Sequence, residues 1–384
     1  MKLLAEERLV LLLARGKIEA SDEALARRLL ATPLRWELIV RMAGAEAIYP
    51  LMYTNLRKLG FGGVPTEIRT SLGSLYRTNA LRNTLMAREL ESVLSLLSDA
   101  GVPAIPLKGL PLAEALYGDR SLRVCVDMDI LIPFGKAVET LRRLRERGYE
   151  SEAAEEFFEN LLLTQDIEYQ LSRPDRVFVH SLELHWALLW GPRWDERAVE
   201  DLWVSAKPMS YLGAQAYGLS REWEFLYLCA HAARHRWRGL KWLVDIHELC
   251  SSTEVDWAAA KAKATAFGWA GLVEMSLAVC HSLFGTQIPT PFALRSVPSW
   301  LHVFPTPPGR SSAVTDALVF ARLLDQPSRK LKYLVGVGFV PTLAERRLIR
   351  LPRWLSPLYY LIRPLRLAVR WTWRVLSIRR AAAG

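Results

Sequence analysis

The sequence predicts an α+β fold, mostly helical, in which a small mixed sheet is flanked by N- and C-terminal helical segments. Two observations predict the helical share. Apolar residues recur at three- and four-residue spacing through the first hundred positions, and again from Ser220 to Phe284. A third predicts the sheet: from Gly101 onward, short apolar runs alternate with glycine-closed helical stretches and end in a hairpin pattern. With 384 residues, 51% hydrophobic and 23% charged, the chain can bury a large core and is too apolar for intrinsic disorder.

Taken in order, the apolar spacing places helices over Leu3–Leu13, Ala24–Leu30, Trp36–Met52 and Leu81–Leu97, with Ser21 and Asp22 as start residues of the second. The run Gly60–Pro65 reads as a loop, and a long helix begins near Thr66. VPAIPLKG is a short strand ending in glycine, Leu110–Tyr117 a short helix, Val124–Ile132 a strand and Phe134–Gly148 an amphipathic helix. Asp166–Leu171 and Val177–Trp186 form two strands joined by a turn at 172–176. Residues 285–311 hold six prolines and read as an irregular linker. The expected organisation is thus a helical region 1–100, an α/β domain 101–215, a helical region with its proline-rich linker 216–345, and a tail 346–384.

The formal charge of +10 sits in that tail, where residues 346–384 carry ten arginines and no Lys, Asp or Glu. Three prolines divide it, and a helix is expected after Pro364. On a helical wheel Arg363, Arg366, Arg370 and Arg374 fall in one wedge of roughly 80°, with Leu, Val, Ile and Trp around the rest. This composition suits an anionic membrane surface; a helix docked on the body with its arginines in water is the competing expectation. The four cysteines are far apart and the first residues carry charges where a signal core would run, so the chain reads as cytoplasmic, and peripheral at the membrane if the tail binds lipid.

The strand VCVDMDILI offers the strongest chemistry. Alternation puts Asp127 and Asp129 on one face, with Val126, Met128 and Ile130 on the other. Two neighbouring carboxylates repel unless a cation lies between them, and a hard divalent ion prefers such oxygen ligands. Gly109 lies 18 residues upstream of Asp127 at a strand-to-helix junction, where backbone N–H groups can approach an anion and Lys108 can add a point charge. Downstream, Ser181, Glu183 and His185 share a strand face and supply a third carboxylate. Arg123 is placed either to contact phosphate or to hold the aspartates through a salt bridge.

Three blocks, LKGLPLAEALYGDRSLRVCVDMDILIP, LELHW and HAARHRWRGLKWLVDIHEL, together resemble the bacterial nucleotidyltransferase family proteins, a branch of the DNA polymerase β-like nucleotidyltransferase superfamily. The resemblance implies that Gly109 shapes a triphosphate loop and that Asp127, Asp129 and Glu183 hold two Mg²⁺ (or Mn²⁺) ions; with it, Lys108, Arg123 and His185 are the further residues expected at the nucleotide. It implies transfer of a nucleoside monophosphate from an NTP to an acceptor hydroxyl. Leu110 stands where the superfamily usually has a small polar residue, and the gap from Gly109 to Asp127 is longer than usual.

The block with His231, His235, Asp245, His247 and Glu248 is interleaved by Trp237, Leu240, Trp242 and Leu243 as a core stripe would be, so a structural or substrate-facing role outweighs a separate metal site. Arg234, Arg238 and Lys241 are further candidates for nucleotide phosphates. Two other functions fit the sequence: a catalytically silent, membrane-associated interaction protein, and a toxin- or antitoxin-type nucleotidyltransferase. The neutral body, 40 basic against 40 acidic residues over 1–345, argues against a nucleic-acid partner.

Overall fold

The computed structural model describes residues 3–151, 168–175, 178–189, 192–251, 254–299, 301, 304 and 313–382. Four helices open the chain: α1 (Ala5–Leu13), α2 (Ala20–Leu30), α3 (Trp36–Ala45) and α4 (Tyr49–Lys58). The apolar run Trp36–Met52 is two helices rather than one, because Ala47 takes a positive φ of 56° and Pro50 lies in the first turn of α4. Helix α2 starts earlier than expected: Glu19 is its cap residue, and Ser21 and Asp22 lie inside the helix. The 34-residue α5 (Thr66–Asp99) then runs from this helical layer to the sheet, burying Leu72 in one core and Leu90, Val93, Leu94 and Leu97 in another.

The sheet is mixed, with spatial order β1-β2-β4-β3. Its strands are β1 (Ile105–Pro106), β2 (Met128–Leu131), β3 (Glu168–Pro174) and β4 (Val179–His185). The pairs β1/β2 and β3/β4 are antiparallel and β2/β4 is parallel. Helix α6 (Leu110–Tyr117) lies between β1 and β2, bracketed by Gly109 and Gly118, both at positive φ. Helix α7 (Ala137–Glu146) follows β2 and buries Leu141 and Leu144. Strand β2 is shorter than the expected Val124–Ile132, and Val126 does not share the buried face of Met128 and Ile130: it is exposed. The hairpin turn falls after Pro174 rather than at 172–176, while Asp166 and Val177 lie outside the described residues.

Both faces of this sheet are covered. Met128, Ile130, Leu182 and Leu184 pack with the far half of α5 and with α7. Leu131 and Leu107 join the larger core, which also contains Leu9, Ile39, Met52, Trp223, Leu243 and Trp269. That core is built by α1–α4 together with α9 (Arg221–Arg234), α10 (Leu240–Cys250), α11 (Trp257–Ala266) and α12 (Ala270–Phe284), so helices that precede the sheet and helices that follow it share one interior. Helix α8 (Pro192–Ser205) precedes a second hairpin, β5 (Lys207–Tyr211) and β6 (Ala214–Gly218), which the apolar pattern does not announce. Its turn, Leu212-Gly213, has positive φ at both residues, and a leucine there hides the usual Asn-Gly signal. Tyr217 N–H donates to the Ala104 carbonyl at 2.9 Å, attaching the hairpin beside β1.

The chain closes with α13 (Ala313–Leu323), α14 (Pro327–Phe339), α15 (Leu343–Leu348), a 3₁₀ turn at Arg353–Leu358 and α16 (Tyr359–Ala382). Pro364 lies inside α16 rather than at its start. The expected orientation of the arginine wedge is reversed at its first two members. Arg363 donates to the Val337 carbonyl at 2.8 Å, and both Arg363 and Arg366 ion-pair with the buried Glu345. Among the described residues no helix is long and apolar enough to cross a membrane.

Candidate active site

The parallel pairing of β2 and β4 sets Asp129 directly beside Glu183, and Leu131 beside His185. Side chains paired in register share a face, so the alternation that buries Met128 and Ile130 on one side sends Asp129, Glu183 and His185 to the other, toward α9. The antiparallel β3 adds Glu168 in register with His185. His185 joins all three acids: Nε2 lies 3.1 Å from Asp129 Oδ1 and 3.6 Å from Glu183 Oε2, and Nδ1 lies 3.5 Å from Glu168 Oε2.

Lys108, two residues past β1, reaches the same carboxylate, its Nζ 2.7 Å from Asp129. Leu107 N–H donates to the Asp129 carbonyl at 3.0 Å, which fixes the lysine's position against β2. The next residue, Gly109, has φ 79° and ψ −125°, a region only glycine enters freely. A Cβ there would meet nothing nearer than the Asp127 carbonyl at 3.9 Å, so the backbone conformation, and not crowding, demands the glycine. Asp127 lies just ahead of β2, half-buried, and makes no hydrogen bond or ion pair among the described residues.

Charge within this pocket is strongly interdependent. Burial pushes the Asp129 carboxyl up, but Lys108 and His185 outweigh it and hold it well below its ordinary range. Burial would lower His185, yet its bonds to Asp129 and Glu183 raise it to about 9. His185 pulls Glu183 down, while burial and the charges of Asp129, Glu168 and Asp127 together leave it raised. Lys108 is likewise lowered by burial and raised on balance by Asp129 and Asp127.

Arg123 is placed differently from its neighbours. It is buried, and its guanidinium is committed to Asp245 on α10, with Nε–Oδ2 3.0 Å and Nη2–Oδ2 2.9 Å. Tyr117 O–H donates to the same carboxylate at 2.8 Å. From α5, Asn79 donates to the carbonyl of Ser121 at 2.9 Å, and Asn83 to those of Arg120 and Arg123 at 2.6 and 2.8 Å. Two asparagines one helical turn apart thus grip the chain leading to Asp127.

The helical wall opposite the sheet accounts for most of the histidine block. The rings of His231, His235 and Trp242 pack against one another in tilted and edge-to-face arrangements, with centroids 4.7, 5.0 and 4.6 Å apart. His247 Nδ1 meets Thr286 Oγ1 at 2.8 Å, and Glu248 accepts from Gly16 N–H at 2.7 Å. Arg234 is paired with Glu168 at 2.8 Å. Lys241 donates to the Val124 carbonyl at 3.3 Å, and burial and Arg123 push it down to about 8. Two polar atoms on this wall, Tyr227 Oη and His231 Nε2, are buried without a partner among the described residues. Burial pushes the Tyr227 hydroxyl up, with Asp129 and Glu168 next in effect, and burial and then Lys108 push His231 down.

Among the described residues one group of three metal-type donors converges, Asp129, Glu183 and His185, whose ligand atoms lie within 4.8 Å of one another. Asp127 stands outside it. The set is compatible with a hard divalent cation, because two of its members are carboxylates. The sequence reading missed Glu168, Arg234's partner, and Tyr227. A hairpin register placing Glu168 opposite His185 was the available signal for the first; for Tyr227 nothing in the local pattern distinguishes it from a core residue.

Residues 32–285 match the family described as uncharacterised nucleotidyltransferase, a span that contains every residue of this pocket. No curated protein and no solved structure matches the chain. The chain belongs to that nucleotidyltransferase family.

Proposed function

We propose that the chain moves a nucleoside monophosphate from an NTP to a hydroxyl-bearing acceptor in a Mg²⁺-dependent reaction at the α9-facing side of the sheet. The observation that carries this is the register pairing of Asp129 with Glu183, with Asp127, unpartnered among the described residues, two positions away. In this reading Asp127, Asp129 and Glu183 hold the divalent cation. Bound there, Mg²⁺ supplies charge neutralisation for the departing pyrophosphate and acidity for the acceptor hydroxyl.

The chain's own groups do the positioning. Gly109 and the first N–H groups of α6 receive triphosphate oxygens, and Lys108 exchanges its contact with Asp129 for one with phosphate. His185 orients Asp129 through its hydrogen bond and Glu183 through their close charge contact. Tyr227 and His231 offer polar contacts to the bound nucleotide. Arg123, locked to Asp245, positions the approach to Asp127 rather than binding substrate. The acceptor oxygen bonds to the α-phosphorus while the α–β bridging bond breaks, pyrophosphate takes the electron pair, and the hydroxyl proton passes to solvent.

Incubation with α-labelled NTPs and cell extract tests this: wild-type protein transfers label to an acceptor and loses the activity on chelation. Transfer that persists in the Asp127→Ala/Asp129→Ala double variant sinks the assignment. The grip of Lys108 on Asp129 also favours a second reading, a catalytically silent binding protein in which the lysine permanently takes the cation's place. Calorimetry with Mg²⁺ and each NTP separates the two, since the silent form shows no carboxylate-dependent heat.

A further inference from the structure

Helix α16 is amphipathic in an unusual sense: its first two wedge arginines face the protein, Arg370 is exposed, and its leucines face away. Arg363 and Arg366 turn inward to Glu345, whereas Leu361, Leu365 and Val369, at four-residue spacing, are 61%, 67% and 56% exposed. Leu358, one turn earlier, and Trp354, in the preceding 3₁₀ turn, are exposed as well. Helix α14, against which α16 packs through Arg363 and the Val337 carbonyl, repeats the pattern with exposed Leu331, Leu334, Val335 and Phe339. Apolar side chains at this density on two adjoining helices mark a contact surface.

Charge decides what covers it. Residues 327–384 contain 13 basic residues and a single acid, Glu345, which the two arginines already neutralise. A second copy of the chain would press one strongly positive surface against another. A nucleic acid would answer the charge but offers no apolar surface to a leucine row. An anionic bilayer supplies both, headgroup charge for the cations and acyl chains for the leucines. The sequence of α16 continues with Trp371, Trp373, Arg374, Arg379 and Arg380, residue types favoured at the headgroup boundary. We infer that the leucine-bearing faces of α14 and α16 seat the chain on an anionic membrane leaflet, with α16 lying in the plane of the surface. Membrane binding is independent of the transfer reaction, whose residues lie elsewhere.

The test is vesicle co-sedimentation of the full chain, with phosphatidylcholine alone and with phosphatidylcholine–phosphatidylglycerol mixtures. Binding is expected to the mixed vesicles, weakened by salt. Leu361→Gln/Leu365→Gln changes no charge and is expected to weaken partitioning roughly tenfold or more, since each leucine loses its burial in lipid. Leu331→Gln extends the test to α14, and an unchanged circular dichroism spectrum and unfolding midpoint show that each variant is folded. The inference is overturned by a lack of sedimentation with mixed vesicles, or by binding that ignores the leucine replacements. It is equally overturned if the wild-type chain is a dimer that Leu361→Gln/Leu365→Gln dissociates while vesicle binding is absent.

Discussion

Asp129 and Glu345 are both buried carboxylates held by two cationic partners, Lys108 and His185 in one case and Arg363 and Arg366 in the other. Their surroundings differ. The Glu345 carboxylate is itself fully answered: Thr342 N–H and hydroxyl donate to it, and Arg363 and Arg366 close the remaining sides. Around Asp129 three further acids converge or lie near, Asp127 has no partner, and Tyr227 Oη and His231 Nε2 are left unpaired among the described residues. A complete cluster joins two parts of a fold. A cluster with open valences is built to receive something, and unmade hydrogen bonds in a buried place are costly enough that their retention points to a ligand.

The largest expected effect breaks that contrast if it fails. Asp127→Ala removes a carboxylate with no structural partner, so label transfer is expected to fall by roughly 10³-fold or more with the unfolding midpoint almost unchanged. The opposite outcome, normal transfer and a destabilised chain, would make the Asp129 cluster a joint like that of Glu345.

Next in size is the Arg123–Asp245 pair, which lies beside the pocket but should behave as a joint. Arg123→Ala strands a carboxylate that is 0% exposed and is expected to cost about 3 kcal/mol of stability. Chemical denaturation measures it. Residual transfer per folded molecule should fall far less than in Asp127→Ala; an equal fall would put Arg123 at the substrate after all.

Gly109→Ala isolates the backbone. It changes no charge and meets no close neighbour, but it forces a Cβ into a conformation reserved for glycine, at a cost of about 2 kcal/mol. The expected signature is a raised KM for the NTP, because the junction must relax away from the phosphate. A stability loss with KM unaltered would leave Gly109 as a turn residue only.

How much of this was legible in the sequence depends on whether the cause was local. Helix α6 runs over Leu110–Tyr117 as the spacing indicates, since both of its ends are set by adjacent glycines. Asp129 and Glu183 as acids, and His185 on the face of Glu183, could be nominated from alternation within each strand, because alternation is a property of one strand; Asp127, nominated with them, lies ahead of β2 and outside the converging set. That Asp129 and Glu183 are register partners could not be read, because register depends on two strands distant in the chain. For the same reason the sequence did not specify the partner of Arg123, which lies 122 residues away. Strand β2 is short because Asp127 and Val126 leave the sheet, and no residue preference announces that exit. The tail illustrates the limit most clearly. A helical wheel identifies two faces but not which is inside, and hydropathy assigns the leucines inward. One buried acid, Glu345, reverses the assignment, since two arginines gain more from it than from water.

The smallest expected effect concerns that acid and sharpens the contrast from the other side. Burial pushes the Glu345 carboxyl up, but Thr342 and the two guanidinium groups outweigh it and hold it below its ordinary range. A carboxyl depressed in the folded state contributes stability that is present above its unfolded value, about 4.3, and is lost as pH falls through the lower folded value. The attachment of α16 should therefore loosen on acidification, while neutral and alkaline conditions leave it intact. Glu345→Gln keeps the shape, removes the charge and should cost about 1 kcal/mol locally, because Arg363 and Arg366 remain near enough to the surface to find water. Hydrogen exchange reads this directly: amides over 359–370, corrected for intrinsic rates, should exchange about fivefold faster in the variant at neutral pH and lose their added acid sensitivity. Amides of β2 and β4 should not change. Acceleration reaching those strands would mean that the arm and the sheet form one cooperative unit, and that the two carboxylate clusters cannot be assigned separate tasks.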